Sequence, residues 1–445
     1  MLFTTDRQTL EDLNIFGKHG GDSVYNIFNR THTRGGAALL EDMFRHPLSD
    51  PEAINRRSGI IQYFATGAMV FPFQPAQFDA IDTYLANTDE RTKLQAADDS
   101  LAKRLGNLVA QNGETAMIYK GVQALVALLS DTKTFLQGLD IGPGHVYETE
   151  KTAMLLLLSE PGLLSVLQTS AKDKLSHALI AEYDVLLRFR HRTVVQQLLR
   201  HIAALDVYLS IARVATERGF AFPRALPAGA SGVRLEGVYH PQVKGAVGND
   251  ITVTPEGNVL FLTGANMAGK STFMKSLSIA LFLAHMGFPV PAQSMEFAVL
   301  DGIYTTINLP DNLGMGASHF YAEVLRVKKM ALELGQGKKL FIVFDELFRG
   351  TNVKDAYEAT IAIVKAFARQ RGSLFVISTH IIEAGEVLRA ECGNVRFVFL
   401  PTRMDGHRPV YTYTLAPGIT DDRHGMIIIN NEGILDILRS GLAKK

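Results

Sequence analysis

The residues with the clearest chemical potential form the octet GANMAGKS at positions 264–271. The octet fits G-x-x-x-x-G-K-[ST], the pattern of a loop whose backbone N–H groups surround phosphate oxygens. In such a loop Lys270 would reach the β- and γ-phosphates, and the hydroxyl of Ser271 would hold Mg²⁺. The alternative is a chance match in an ordinary turn between a strand and a helix. The surrounding sequence favours the phosphate site.

The octet lies where this chemistry requires it, after the apolar run NVLFLT and before the helical pattern STFMKSLSIALFLAHMG. Glycines let the backbone approach a phosphate closely, and a helix N-terminus adds partial positive charge. We therefore predict a nucleotide-binding loop. The residues expected to contact the nucleotide are Gly264, Ala265, Asn266, Met267, Ala268, Gly269, Lys270, Ser271 and Thr272.

A second apolar run, in KKLFIVFDELFRGTN, ends in two carboxylates. Asp345 would bind Mg²⁺ directly or through water, and Glu346 would be the general base for an attacking water. Both can lie at the carboxyl edge of a parallel sheet, which is where such sheets bind ligands. The alternative is a solvated Asp-Glu pair at a strand end. The Asp-Glu order favours hydrolysis over transfer of a phosphoryl group to another substrate.

A third apolar run, SLFVISTH, ends in Thr379 and His380. A histidine at this edge would hydrogen-bond the γ-phosphate and respond to its loss. A lone histidine is more often structural. The assignment of His380 as a catalytic residue therefore depends on the phosphate loop and the acidic pair.

A fourth segment, LPDNLGMGASHFYAEVLRVKKMALEL, places Gly316, Ala317 and Ser318 before a helical pattern that begins near His319. Free N–H groups at a helix N-terminus favour an anion. Since one nucleotide already has a complete loop, a second anion site suggests that two chains face each other, each closing the other's site. The alternative is that Ser318 only caps its own helix.

These segments need a parallel α/β sheet, and the sequence predicts one only in the second part of the chain. Residues 1–222 repeat apolar residues at three- and four-residue spacing, which predicts a helical domain. The turn-rich stretch 223–232 predicts a linker. Residues 233–436 alternate short apolar runs with helical patterns, which predicts an α/β domain, and residues 437–445 are expected to be a tail.

The chain of 445 residues is long enough for two or three domains, and its 47% hydrophobic and 20% charged residues are typical of a soluble globular protein. Lys and Arg number 45, as do Asp and Glu, so any DNA contact must come from a local basic patch or a shape that encircles the duplex. The alternative for such a patch is a solvated helix face. The candidate patches are Arg30, His32 and Arg34, and Arg188, Arg190, His191 and Arg192.

Cysteine content and the N-terminus bear on location. Cys392 is the single cysteine, which excludes a disulfide framework within the chain and fits a reducing cytosol. The N-terminal MLFTTDRQTLEDL has no apolar core of the signal-peptide type, and the most apolar later run is interrupted by Gly and Pro. We expect a cytoplasmic protein that does not interact with a membrane.

Taken together, these motifs resemble the MutS family. TGANMAGKST is similar to its nucleotide loop, FDELFRGTNVKDA to its acidic strand and the turn after it, STH to its switch histidine, and DNLGMGASHFYAEV to its serine-bearing signature segment. GVYHP resembles its entry segment, and YTYTLAPGITDDRHGMIIINNEGI its closing segment. Upstream, QTLEDLNIF and SVYNIFNRTHTRGGAALLEDMFRHPLSDPEAINRRSGIIQYF resemble the start of the core domain. The likeness is weakest across residues 80–230.

The resemblance implies an ABC-type P-loop ATPase domain preceded by an all-α core and lever domain. It implies a homodimer around DNA, in repair or recombination, with ATP and Mg²⁺ between the heads and mismatch-repair proteins as candidate partners. Ser318 would contact the γ-phosphate of the partner's ATP, and His240 would lie near the nucleotide base. The roles given above to the loop, the acidic pair and His380 agree with the family pattern.

The sequence also departs from the family pattern. The chain starts at the core, and its only Phe-x-Glu is residues 344–346, already assigned to the metal strand, so we do not expect it to read mismatches. An ATP-gated protein scaffold that does not contact DNA is the alternative function, and the zero net charge supports it. A small-molecule kinase fits the loop but leaves Glu346, Ser318 and His380 unexplained.

Overall fold

A computed structural model describes residues 3–17, 21–94, 111–169, 175–307, 319–405, 408–420, 433–435 and 437–438. The chain forms two compact units. The α/β unit comprises Met1–Phe28, Phe44–Ser58 and Ala215–Lys445, and the helical unit comprises Asn29–Met43 and Gly59–Val214. Within the described ranges, no helix has both the length and the apolar character needed to cross a bilayer.

Helices dominate the first half of the chain, as its periodicity predicts. They are α1 (Arg7–Asp12), α2 (Val24–Phe28), α3 (Arg34–Arg45), α4 (Pro51–Thr66), α5 (Pro75–Ala86), α6 (Gln111–Gly138), α7 (Glu148–Leu158), α8 (Pro161–Gln168), α9 (His177–Asp184) and α10 (Arg192–Arg218). A π-helical stretch, Val185–Arg190, follows α9 directly. Helix α10 ends just before Gly219, whose φ of +66° is a backbone angle that glycine adopts without strain.

Strands and helices alternate in the rest of the chain. The strands are β1 (Arg224–Ala225), β2 (Val233–Val238), β3 (Asn249–Val253), β4 (Val259–Gly264), β5 (Ser294–Phe297), β6 (Gly302–Thr306), β7 (Leu340–Phe344), β8 (Leu374–Ser378), β9 (Val395–Leu400), β10 (Thr402–Asp405), β11 (Arg408–Tyr411) and β12 (Ala416–Pro417). The helices are α11 (Lys270–His285), α12 (His319–Gly335), α13 (Val353–Ala368) and α14 (Glu383–Glu391).

The largest sheet has the strand order β12-β9-β4-β8-β7-β6. The strands from β9 to β6 are parallel, which confirms the parallel sheet predicted from the apolar runs, and β12 pairs antiparallel with β9. Strands β7 and β8 are buried along their whole length, which explains why their sequences are continuously apolar. A second sheet has the order β1-β5-β2-β3, so the predicted linker 223–232 contributes a strand.

The beginning of the chain is divided between the two units. Residues 1–28 and 44–58 belong to the α/β unit, and the domain boundaries 1–222 and 233–436 stay a prediction. Thr4 forms a parallel β-bridge with Gly302 at the edge of the large sheet. Aromatic rings of both stretches pack on a ring from the second half of the chain; the three are Phe28, Phe44 and Phe288. Such long-range contacts leave no periodic signal, so helical spacing alone does not show which compact unit these residues join.

The helical unit contains a charged cluster in its core. Helices α5 and α6 approach so closely that a Cβ on Gly121 would lie 2.2 Å from the Cβ of Tyr84. The Tyr84 hydroxyl donates to the Asp184 carboxylate at 3.0 Å, and Arg188 donates to the same carboxylate at 2.6 Å. The side chains of Asp184 and Arg188 are fully buried. The cluster therefore ties α5 to the end of α9 and to the π-helical stretch.

Candidate functional site

The predicted segments meet at the carboxyl edge of the large parallel sheet. The phosphate loop follows β4, Thr379 and His380 follow β8, and Asp345 and Glu346 follow β7. Strand β8 lies between β4 and β7, so the three strands end side by side. Ligands of parallel sheets bind at this edge.

The backbone of the loop between β4 and α11 has the angles that a phosphate-binding loop needs. Gly264 and Gly269 have φ values of +148° and +99°, and Met267 has +68°. A Cβ on Gly269 would also lie 3.1 Å from the ring of Tyr413, so glycine is needed there for two reasons. The predicted contact residues differ in exposure. Those that are exposed are Asn266, Met267 and Thr272, those that are half-buried are Gly264, Ala265 and Gly269, and Ala268 is buried.

The side chain of Lys270 lies inside the loop. It is 6% exposed, and its Nζ donates to the carbonyl oxygens of Gly264 at 2.8 Å and Ala265 at 3.2 Å. Burial lowers the pKa of Lys270, and the nearby carboxylates of Asp345 and Glu346 oppose that shift. The ammonium group is therefore held at the loop by neutral carbonyls and is available to a phosphate.

The predicted metal ligands are in contact. The Ser271 hydroxyl at the start of α11 donates to the Asp345 carboxylate at 2.5 Å, and the Asp345 N–H donates to the carbonyl of Thr306 at 2.9 Å. Magnesium prefers oxygen ligands and usually binds one or two protein groups together with phosphate oxygens and water. Among the described residues, no group of three or more His, Cys, Asp or Glu side chains forms a metal cage. The Ser271–Asp345 pair fits Mg²⁺ held jointly with a nucleotide.

Glu346 is held by His380 and Arg349 beside the metal pair. His380 Nε2 lies 2.8 Å from one carboxylate oxygen, and Arg349 donates to the other at 3.2 Å. The hydrogen bond with His380 lowers the pKa of Glu346 to about 2, and Arg349 adds to this effect against partial burial. Glu346 also has φ of +54°, an uncommon angle for a residue with a side chain. The carboxylate is ionised at neutral pH and can accept a proton.

The contact of His240 with a nucleotide base stays a prediction. It follows β2, and its Nδ1 accepts a hydrogen bond from the Gln242 N–H at 3.3 Å. Burial, together with the positive charge of Lys275 on α11, lowers the pKa of His240 to about 4. The imidazole is therefore neutral at physiological pH.

Tyr413 is a residue of the site that the sequence motifs did not single out. Its ring covers Gly269, and its backbone has φ of +54°. Asn249 holds this turn, since its amide donates to the Tyr413 carbonyl at 3.0 Å and accepts from the Leu415 N–H at 2.7 Å. The only sequence signal for Tyr413 is its place in YTYTLAPG. Gly269 and Asn249, which contact it, lie about 150 positions earlier in the chain, so no local pattern links them to it.

The second predicted anion site falls partly outside the described residues. Gly316, Ala317 and Ser318 lie outside them, so the role of Ser318 stays a prediction. The described part of helix α12 is His319–Gly335.

Three members of the two basic patches are buried or paired with a carboxylate. Arg188 is fully buried and paired with Asp184, so its assignment to a DNA-facing patch is wrong. Helical spacing cannot show that a carboxylate one turn earlier holds the arginine inside the core. In the other patch His32 pairs with the buried Asp206 at 3.0 Å, and Arg34 forms an exposed pair with Asp79.

Comparison with known families agrees with this geometry. The family model for MutS domain III matches residues 8–212, and the model for MutS domain V matches residues 260–438. The DNA mismatch repair protein MutS of Exiguobacterium sp. is 30% identical over 256 residues, which cover 55% of this chain and 30% of that protein. The DNA mismatch repair protein MutS of Lactococcus lactis subsp. cremoris (strain MG1363) is 28% identical over 305 residues, 66% of this chain and 36% of that protein.

The chain thus spans about a third of the length of these relatives. The matched domains cover both halves of the chain, and the second contains the phosphate loop, the acidic pair and His380. The chain therefore belongs to the MutS family.

Proposed function

We propose that this protein hydrolyses ATP with Mg²⁺ as a homodimer and couples the cycle to gripping or releasing DNA. The observation that carries the proposal is the hydrogen bond of 2.5 Å between Ser271 and Asp345 beside the buried Lys270. It supports a metal and phosphate site at the edge of the sheet where the general base Glu346 also lies. The name of these relatives, DNA mismatch repair protein, supports the DNA association.

Binding of ATP uses groups that the loop already holds in position. The backbone N–H groups from Gly264 to Ser271 surround the phosphates, and the N-terminus of α11 adds partial positive charge. Lys270 exchanges its two carbonyl partners for phosphate oxygens. Ser271 and Asp345 hold Mg²⁺, which supplies charge neutralisation to the phosphates when it is bound.

Hydrolysis requires a base next to the γ-phosphate, and Glu346 is the candidate. It accepts a proton from the attacking water while the P–O bond to ADP breaks. Its hydrogen bonds with His380 and Arg349 keep its basicity low. When His380 instead hydrogen-bonds the γ-phosphate, one oxygen of the Glu346 carboxylate becomes available to water. Glu346 is then a stronger base, because it has lost that hydrogen bond.

Dimerisation completes the site in this proposal. Ser318 precedes α12, whose own chain already has a full phosphate loop. Its hydroxyl and the adjoining N–H groups bind the γ-phosphate held by the partner chain. ATP then joins two heads and ADP releases them, so the cycle is driven by the greater affinity of the closed dimer for ATP.

An ATP-gated scaffold that does not contact DNA is the second candidate. Its supporting observation is that Arg188 is buried and that His32 and Arg34 are paired, which leaves fewer cations for phosphates. Binding to plain duplex DNA that weakens steeply with salt supports the first candidate. Absence of such binding, with ATP turnover unaffected by duplex, branched, mismatched or single-stranded DNA, supports the scaffold.

The Glu346→Gln variant tests the hydrolytic site. It keeps the size of the side chain but removes the base, so ATP turnover should fall by ~100-fold or more while ATP affinity is retained. Glu358→Gln, an exposed carboxylate on α13, is the matched control and should turn over like the wild type. Wild-type turnover by Glu346→Gln would overturn the assignment of the base.

Mixing two inactive variants tests the composite dimer. Ser318→Arg should abolish hydrolysis with ATP binding by each chain intact, and Lys270→Ala should weaken ATP binding by roughly 30- to 100-fold. A mixed dimer holds one undamaged site and should regain part of the activity. If mixed dimers form without any recovery, Ser318 does not act across the interface.

A further inference from the structure

The N-terminal segment Thr4–Asp12 joins two parts of the α/β unit that border the nucleotide site. At its start, the Thr4 N–H donates to the Asp301 carbonyl at 2.8 Å, and the Ile303 N–H donates to the Thr4 carbonyl at 3.0 Å. The segment therefore extends the edge of the large sheet next to β6. We call it the N-terminal brace.

The end of the brace holds the last residues of β6. The hydroxyl of Thr9 accepts the Thr305 N–H at 3.0 Å. The Asp12 carboxylate accepts both the Thr305 hydroxyl at 2.8 Å and the Ile307 N–H at 2.9 Å. Thr9, Asp12 and Thr305 are all buried. The carboxyl end of β6 is thus fixed by side chains from near residue 10 and not only by its neighbour in the sheet.

The middle of the brace holds helix α12. Asp6 caps α1 by accepting the Thr9 N–H at 3.0 Å, and the same carboxylate pairs with Arg326 and, at 2.7 Å, with Lys329. The side chains of Asp6 and Arg326 are each 13% exposed. Burial alone would raise the pKa of Asp6, but the hydrogen bonds from Arg326 and Lys329 lower it to about 2.

Arg326 continues this network to the metal strand. Its Nη2 donates to the Thr305 carbonyl at 2.6 Å, and its Nε approaches the Thr306 hydroxyl at 3.4 Å. The Thr306 carbonyl in turn accepts the N–H of Asp345 at 2.9 Å. One guanidinium therefore links α12, the brace and the strand end that contacts the metal carboxylate.

We infer that Asp6 and Arg326 are positioning residues for ATP hydrolysis, which fix α12 and the end of β6 relative to Asp345. The inference rests on the proposed function. Neither residue belongs to the phosphate loop, so ATP binding by one chain does not need them. Hydrolysis does, because the metal carboxylate and the helix that begins after Ser318 must be held in register, and a misplacement of about 1 Å costs on the order of 100-fold in rate.

The Asp6→Asn variant separates the two steps. Asparagine keeps the cap of α1 but removes the charge that holds Arg326 and Lys329. We expect kcat for ATP to fall by ~10-fold with the Kd for ATP unchanged within about 2-fold. Glu11→Gln, on the same helix but in an exposed pair with Arg7, is the matched control and should keep the wild-type kcat.

A second variant tests the link itself. Arg326→Gln should lower kcat as Asp6→Asn does, and the double variant should lose no more than either single variant, because one contact is removed twice. Arg326→Lys, which can still pair with Asp6, should recover part of the rate. If Asp6→Asn fails to fold, Lys329→Gln at the exposed partner should still show ~2-fold lower kcat at constant Kd.

Some outcomes overturn the inference without touching the proposed function. A wild-type kcat in both Asp6→Asn and Arg326→Gln, measured where Glu346→Gln abolishes turnover, removes the positioning role alone. A parallel loss of ATP affinity and of unfolding temperature shows a merely structural role. If Glu346→Gln itself turns over like the wild type, the proposed function fails instead.

Discussion

Two charged clusters of this chain use the same kinds of residue for opposite purposes. At the proposed nucleotide site, Asp345 contacts Ser271, and the side chain of Glu346 is 27% exposed. In the helical unit, Asp184 and Arg188 are fully enclosed. In the first cluster, acceptor atoms are within reach of a ligand. In the second cluster, almost every polar atom is hydrogen-bonded to another residue of the protein.

The partners of the enclosed cluster show how it is satisfied. Asp184 accepts from Tyr84 and Arg188, and Arg188 donates to the hydroxyl of Thr92 at 2.9 Å and to the Thr92 carbonyl at 3.2 Å. Within this cluster, the Nε of Arg188 has no hydrogen-bond partner among the described residues. A buried ion pair contributes little net stability, but removal of only one of its two charges is strongly destabilising. In the proposed function, charge at the open site serves binding, whereas charge at the closed site serves the fold.

Breaking the enclosed pair should give the largest effect. Asp184→Ala leaves the Arg188 guanidinium buried without a counter-charge, so the free energy of unfolding should fall by about 3–5 kcal/mol. Urea denaturation followed by circular dichroism measures it, with the exposed Glu182→Ala as control. The double variant Asp184→Leu with Arg188→Met should recover most of the loss. A loss below about 1 kcal/mol in Asp184→Ala would show that this cluster is not closed.

The open site should respond in its ligand and not in its stability. Lys270→Ala removes the only positive charge of the loop, so ATP affinity should fall by roughly 30- to 100-fold, about 2–3 kcal/mol. Stability should not fall, because burial already disfavours the charged form of Lys270. A titration with ATP and thermal unfolding of the same sample measure both. Unchanged affinity would count against the site.

The same contrast explains what could be predicted from the sequence. The residues of the phosphate loop are contiguous, and the acidic pair and His380 each follow an apolar strand, so short-range patterns placed them correctly. The parallel sheet followed from the same runs because buried strands are continuously apolar.

Contacts between distant residues could not be predicted in this way. The pairing of Thr4 with Gly302 assigns the N-terminal segment to the α/β unit, and the Tyr413 ring reaches Gly269 from a separate turn. Arg188 looked like part of a basic face because periodicity reports only which residues share a side of a helix. Whether that side faces solvent or a buried carboxylate depends on the packing of α5 and α9.

His285 tests whether a fully enclosed polar side chain in the α/β unit contributes to stability, as the Asp184–Arg188 pair does in the helical unit. It belongs to the α/β unit, is fully buried, and has both ring nitrogens engaged: Nδ1 donates to the Leu281 carbonyl at 2.8 Å and Nε2 accepts the Leu300 N–H at 3.0 Å. Burial lowers the pKa of His285 from 6.5 to about 4, although the charge of Asp301 opposes this. The folded protein therefore resists protonation of this ring.

The expected consequence is a loss of stability in weak acid. Below pH 6.5 the unfolded chain binds a proton at His285 that the folded chain does not bind until about pH 4. Stability from this group is therefore complete above pH 6.5 and declines between pH 6.5 and 4, by about 2 kcal/mol between pH 7 and 5. Denaturation at both pH values should show a smaller difference in His285→Gln than in the wild type, whereas the exposed His46→Gln should match the wild type. If the change in stability between the two pH values is equal in the wild type and both variants, burial of His285 does not contribute to the loss of stability in acid.

Tyr413 should give the smallest effect, because it borders the open site without supplying charge to it. Its ring is 46% exposed and restrains the loop at Gly269 through contact alone. Loss of that contact in Tyr413→Ala should weaken ATP binding by ~5-fold, about 1 kcal/mol, and Tyr413→Phe should bind as the wild type does because the ring remains. Tyr411→Ala is the matched control, since Tyr411 lies at the end of β11 and its ring is 6.2 Å from that of Tyr413. Titration of each variant with ATP measures the difference. An equal loss of ATP affinity in Tyr411→Ala would assign the effect to the turn held by Asn249 and not to the Tyr413 ring. The contacts of Asn249 are internal to the chain, so Tyr413 would then serve the structure of that turn and not the open site.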